Sequence, residues 1–252
     1  MRIFAISDLH VDHAENARWV SQLSNWDYQD DVLICAGDIA HNLRDIRTTL
    51  TALRGCFRSV AYVPGNHELW VKPEPDLNSL QKFQEIQRLA AECGAHTGPL
   101  RLDSLSLVPV LGWYDYSFGL PSEELLGRWA DYHMCVWPEH FDQQRITEYF
   151  LAETPAFVAE HGCRVISFSH FVPRQDLLRS SGAAVSLLRP VLGSQAIDAH
   201  IRKLGSFMHI YGHYHVNQRT ERDNIIYVNN AFGYPRESHI SAKRLVCVVG
   251  DE

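Results

Sequence analysis

The sequence predicts an α/β fold of two packed mixed sheets flanked by helices, and two patterns carry that prediction. Short apolar runs bounded by turn residues recur at Ile3 to Ile6, Val32 to Ala36, Val60 to Val63, Leu105 to Leu111, Val165 to Phe168, Phe207 to Tyr211, Ile225 to Val228 and Leu245 to Val249. Runs of this length, bounded in this way, read as buried strands. Between the early runs, apolar residues return every three or four positions, first at Trp19, Val20 and Leu23, then at Leu43, Ile46, Leu50 and Leu53. That spacing is the stripe a helix lays against a core.

The first three runs alternate with helical patterns and predict β-α-β units. The later ones follow one another more closely and predict a second sheet with antiparallel pairing. Two stretches interrupt the pattern. Residues 115 to 140 carry Tyr116, Phe118, Trp129, Tyr132 and Trp137 with Pro121 and Pro138, and residues 172 to 193 carry Pro173, Gly182, Pro190 and Gly193. Within a single domain spanning 1 to 252, the first is expected to be a cap or lid and the second a long loop, because long irregular segments in compact domains are commonly functional.

With 252 residues, 46% of them hydrophobic, the chain can bury one large core. A formal net charge of -7 creates no field that would gather polyanions, so extended nucleic-acid binding is not expected. Bound divalent ions would still admit a single phosphate. The six cysteines are scattered, with no C-x-x-C pair, and read as reduced. The chain reaches Asp8 too early for a signal-peptide apolar region. No apolar run approaches the roughly 20 residues that span a bilayer. A cytoplasmic protein without membrane attachment is the expectation.

The chemistry-bearing residues sit just after strand candidates. Their order is Asp8-x-His10, Gly37-Asp38, Gly65-Asn66-His67-Glu68, Ser169-His170 and Gly212-His213-x-His215. Imidazole and carboxylate together suit iron, zinc or manganese, and an Asp using both oxygens can join two ions. Two ions about 3.5 to 4 Å apart clamp the attacking and leaving oxygens of a displacement at phosphorus. An extended chain at Asp8-x-His10 and at His213-x-His215 would keep each pair on one side, and glycines 37, 65 and 212 would permit tight turns beside them. A lone His at a strand end is usually a surface residue. The ordered set, each member following a strand, is not explained that way.

That series resembles the calcineurin-like metallophosphoesterase family, and its motifs span residues 8 to 215. The resemblance implies a four-layer α/β/β/α sandwich holding two divalent or trivalent ions (Fe, Mn or Zn). It implies one ion held by Asp8, His10, Asp38 and His215, and a second by Asp38, Asn66, His170 and His213. His67 would approach the substrate as acid or charge stabiliser, and Glu68 would give structural support. The implied reaction is hydrolysis of a small phosphate ester, monoester or diester, by a hydroxide bridging the ions.

This chain departs from the protein-phosphatase branch after the second motif, where it reads Ile39-Ala40-His41-Asn42 rather than continuing to a further Asp and an Arg. The partner that would orient His67 is therefore missing from that segment. Arg174, Tyr114 and Tyr214 are candidate substrate contacts, with Trp113 and Tyr116 beside them, while His13, His41, His133 and His140 are read as non-ligands. Two rival functions remain. A binding scaffold that had lost catalysis should lack a ligand or the reacting His, and this chain has them all. A nuclease should show a basic stripe, which this chain lacks.

Overall fold

The computed structural model describes residues 1–72, 77–179 and 183–250. Ten strands are formed among these: β1 (Ile3–Ile6), β2 (Val32–Ala36), β3 (Ser59–Val63), β4 (Leu100–Leu102), β5 (Leu105–Pro109), β6 (Arg164–Phe168), β7 (Met208–Tyr211), β8 (Gln218–Arg222), β9 (Ile225–Asn229) and β10 (Val246–Val249). The helices are α1 (Ala14–Ser21), α2 (Leu43–Cys56), α3 (Ser79–Glu92), α4 (Glu123–Arg128), α5 (Asp131–Met134), α6 (Gln143–Glu153), α7 (Ala183–Leu188) and α8 (Gln195–Lys203).

One sheet has the order β10-β1-β2-β3 and the other β4-β5-β6-β7-β9-β8. β2 packs against β7 and β3 against β5, so the two sheets share the core. The central strands β1, β2, β6 and β7 are buried along nearly their whole length, as expected where helices cover the outer faces.

The second sheet is mixed, with the expected antiparallel pairing confined to its edges. β5, β6, β7 and β9 run parallel, and only the edge strands β4 and β8 pair antiparallel. Parallel neighbours need long crossover connections; α6 lies in the one from β5 to β6 and α8 in the one from β6 to β7, while the edge strand β8 lies between β7 and β9 in the chain. The buried stripes of the two helices are short, Ile146, Thr147 and Phe150 in one and Ile197 and Ile201 in the other. Asp142 and Ser194 cap them, accepting from the backbone N–H groups of Arg145 and Ala196.

Residues 115 to 140 include α4 and α5, and the stretch 172 to 193 contains short 3-10 turns around α7. Gly182 lies outside the described residues. The motif residues all leave the carboxyl ends of β1, β2, β3, β6 and β7, where open α/β sheets form their ligand crevice.

Candidate metal centre

The motif loops curl rather than extend. Asp8, His10, Asp38, His213 and His215 have φ of 54°, 43°, 56°, 66° and 53°, a left-handed conformation uncommon outside glycine. The expected extended pairing at Asp8-x-His10 and His213-x-His215 is thus replaced by successive left-handed turns that aim the side chains inward. The loops hold one another in place. Asp8 N donates to Gly37 O at 2.8 Å, His10 N to Asp38 O at 3.0 Å, and His213 N to Asp8 Oδ1 at 3.0 Å.

Gly65 is required by close approach, since a Cβ there would lie 2.2 Å from Asp38 Oδ1. Gly37 combines a φ of +85° with a Cβ position 2.6 Å from His170 Nδ1. Glu68 supports the same turn from below. Its buried carboxylate accepts from Ile39 N at 2.6 Å, Gly65 N at 2.8 Å and Asp38 N at 3.0 Å. Burial, then the neighbouring Asp38, pushes this carboxyl up to about 8.

The seven motif residues read as ligands fall, together with His67, in three overlapping groups, Asp8 with His10 and His215, Asp38 with His10 and His67, and Asp38 with His170 and His213, the last joined by Asn66. His10 Nε2 and His215 Nε2 face each other at 3.2 Å, with Asp8 Oδ1 3.1 Å from His215 Nε2. His170 Nε2 lies 3.1 Å from His213 Nδ1, 3.1 Å from Asn66 Oδ1 and 3.5 Å from Asp38 Oδ2. Two nitrogens each about 2.1 Å from one ion, at angles between octahedral and tetrahedral, stand about 3.0 to 3.4 Å apart. The spacing of the facing imidazoles therefore fits shared ions.

The charges tell the same story. Burial alone would raise the Asp8 carboxyl, but His215 outweighs it and holds the group at about 2. Burial opposes a proton on His215, yet Asp8 and then Glu237 draw one there and raise it to about 10. His170 is raised to about 9 against burial, chiefly by Asp38. Burial, followed by His170, lowers His213 to about 3. Without metal, one imidazole at each end of the cleft thus carries the positive charge that the carboxylates demand.

The sequence profile of the calcineurin-like phosphoesterase family matches residues 1–217. The chain belongs to that family. It is a metallophosphoesterase, an enzyme that hydrolyses phosphate esters at a metal centre. It is 27% identical to the [acyl-carrier-protein] phosphodiesterase PptH of Mycobacterium tuberculosis, over 93% of this chain and 78% of that one. A protein of Acanthamoeba polyphaga mimivirus, uncharacterized protein L509, is 23% identical over 94% of this chain and 93% of its own length. The crystal structure of the phosphopantetheinyl hydrolase PptH from Mycobacterium tuberculosis superposes with a TM-score of 0.79 and 25% identity, covering 99% of this chain and 96% of that one.

In this phosphoesterase, three of the four imidazoles read as ligands have their own backing. His170 Nδ1 donates to Ala36 O at 2.9 Å, His213 Nε2 to Val191 O at 3.0 Å and His215 Nδ1 to Glu237 Oε2 at 2.6 Å. His10 Nδ1 and His67 Nδ1 are buried with no hydrogen-bond partner among the described residues. His67 Nε2 is 3.8 Å from Asp38 Oδ2 and 3.5 Å from the Tyr234 hydroxyl. Its ring stacks on Trp70 with centroids 3.8 Å apart. The face of an indole thus stands where an orienting carboxylate was sought.

The candidate substrate contacts are placed differently. Tyr114 has no exposed surface and packs with Trp113, Tyr132 and Phe171. Tyr214 is buried, and Arg174 is committed to Asp176 at 2.8 Å and Asp223 at 2.7 Å. A cleft of about 330 Å³ is instead lined by His13, Tyr234, Pro235 and Arg236. Tyr234 stacks on His10 at 4.4 Å and meets the edge of His215 at 5.0 Å. Sequence reasoning missed Tyr234, Glu237, Trp70 and Asp131. None lies in a motif, though Trp70 follows Gly65-Asn66-His67-Glu68 by two residues.

Proposed function

We propose that this phosphoesterase hydrolyses the phosphodiester that joins a phosphopantetheinyl group to a carrier protein, in the cytoplasm. The reading rests on one observation above the others: likeness to PptH runs through 99% of the chain, motif loops and intervening segments alike. The six cysteines are free, and no helix among the described residues is long and apolar enough to cross a membrane.

Asp8, His10, Asp38 and His215 would hold one ion, and Asp38, Asn66, His170 and His213 the other, iron, manganese and zinc all suiting this donor set. When bound, such a pair supplies positive charge for phosphate oxygens and makes a water nucleophilic near neutral pH. The protein does the rest. The clustered loops would fix the phosphorus in line, and as the water oxygen, having released a proton to solvent, bonds to it, the bond to the leaving oxygen breaks. His67 Nε2, facing the cleft, donates the proton that this oxygen needs.

The segments 115 to 140 and 172 to 193 would wall the site within a single domain. Asp131 of the first bonds Asn66, and Val191 of the second bonds His213.

The test uses protein stripped of metal and reloaded separately with Mn, Fe or Zn. It is offered para-nitrophenyl phosphate, its bis-ester, and a carrier protein bearing phosphopantetheine, the last followed by intact mass. The expected result is loss of the phosphopantetheinyl group from the carrier and turnover of the bis-ester. Cleavage of the small esters with an untouched carrier would reject the carrier substrate. No hydrolysis with any metal would reject the metal-centre assignment.

A further inference from the structure

We propose that Asp131 is the positioning acid of this centre, orienting His67 through Trp70 and the ligand Asn66 by a direct hydrogen bond. The inference deepens the hydrolase reading, since it presumes the roles given there to His67 and Asn66. Asp131 opens α5, far from every motif in sequence, and is only 2% exposed. Three N–H donors converge on its carboxylate: Trp70 Nε1 at 2.7 Å, Asn66 Nδ2 at 2.8 Å and Trp129 Nε1 at 2.8 Å.

Each bond has a consequence at the site. The bond from Trp70 fixes the plane of its indole, and that indole lies against His67 at 3.8 Å with 29° between planes. The edge of the His67 ring meets His10 at 4.7 Å. With His67 Nδ1 unpartnered among the described residues and Nε2 held only by the long contact to the Tyr234 hydroxyl at 3.5 Å, this slab is the main limit on rotation of the ring. A carboxylate therefore orients the reacting imidazole at one remove, across an aromatic face.

The bond from Asn66 chooses between the two ends of an amide. A carboxylate accepts only N–H, so Asp131 takes Nδ2 and leaves Oδ1 directed at His170 Nε2, 3.1 Å away. The reversed amide would present its NH2 group to a cation. Trp129 completes the set, with its ring edge-on to His213 at 6.0 Å.

Asp131→Asn and Trp70→Phe separate the two links. Asparagine retains the size of the side chain but, with one acceptor oxygen in place of two, sets an N–H against at least one of the three donors in either orientation of its amide, whereas phenylalanine keeps a ring under His67 and removes only the bond to Asp131. In metal-free protein, the His67 ring-proton resonances, shifted by the indole ring current, are expected to move in both variants. Asp131→Asn is expected to weaken one of the two ions about tenfold, and Trp70→Phe to leave both at wild-type affinity. In turnover, Trp70→Phe should lower kcat about tenfold with KM unchanged, and add nothing further in a His67→Ala background.

The proposal is overturned if folded Asp131→Asn protein keeps wild-type His67 resonances and binds both ions undiminished. It is overturned equally if the losses from Trp70→Phe and His67→Ala multiply. The resonances and ion affinities need no substrate, so failure of the hydrolase reading would leave this test standing.

Discussion

At one end of the cleft Asp8, His10 and His215 meet beneath Tyr234. At the other, Asn66, His170 and His213 meet against main chain. His215 is 13% exposed in its side chain and leans on the carboxylate of Glu237, whereas His170 is 1% exposed and leans on a backbone carbonyl, that of Ala36. A carboxylate partner makes an imidazole a stronger base than a carbonyl does. At the outer end an imidazole is therefore tuned by a side chain that mutation can alter, whereas at the inner end both imidazoles lean on backbone that mutation cannot easily reach and only Asn66 answers to a side chain, Asp131. Similar donors are thus made unequal by what stands behind them.

Asp38 is shared by both ends and should abolish the contrast when changed. Asp38→Asn is expected to lose both ions and bring turnover to background, as measured by metal content per chain and initial rate. Retention of one full equivalent of metal would show that the ends are independent. His67→Ala probes the space between them. It should lower kcat about a hundredfold while two ions remain bound, and loss of metal would make His67 a ligand, as its place in the cluster with His10 and Asp38 permits.

Glu237→Gln should sharpen the comparison. One ion is expected to bind about tenfold more weakly and the other normally, read by metal titration. Equal weakening of both would break the distinction.

The smallest effect concerns the floor of the inner end. His209 lies between the hydroxyls of Ser167 and Ser169, at 2.8 and 3.0 Å, and burial lowers it to about 3. Because its folded value lies below the unfolded one of about 6.5, the unfolded chain takes up the proton first as pH falls. Stability is then lost from about pH 6.5 down to about 3, by about 2 kcal/mol on reaching pH 5. Denaturant melts should be steeper in their pH dependence for wild type than for His209→Asn by this amount, since His213, lowered alike by burial, contributes to both.

The strands that position the site were largely legible, because a run such as Val32 to Ala36 is apolar on both faces and has few alternatives. Edge strands were not. β8 reads Gln-Arg-Thr-Glu-Arg, with one flank free of neighbours, and carries no periodic signal. The motif residues could be chosen from sequence because each follows a strand closely, and the fold then brings them together. Asp131 and Glu237 could not. Their hydrogen bonds to Asn66 and His215 span 65 and 22 positions, and no local pattern announces a contact made only by tertiary packing. That antiparallel pairing stops at the edges of the second sheet was not legible for a related reason, since α6 and α8 bury too few apolar residues to stand out.

The left-handed turns at Asp8, His10, Asp38, His213 and His215 set conformational stability against function. Each such residue costs on the order of 1 kcal/mol or more of backbone strain, which glycine would relieve. Glycine at one of these positions would relieve that strain while removing a side chain the chemistry needs, so the five turns mark where this fold has given up stability for function.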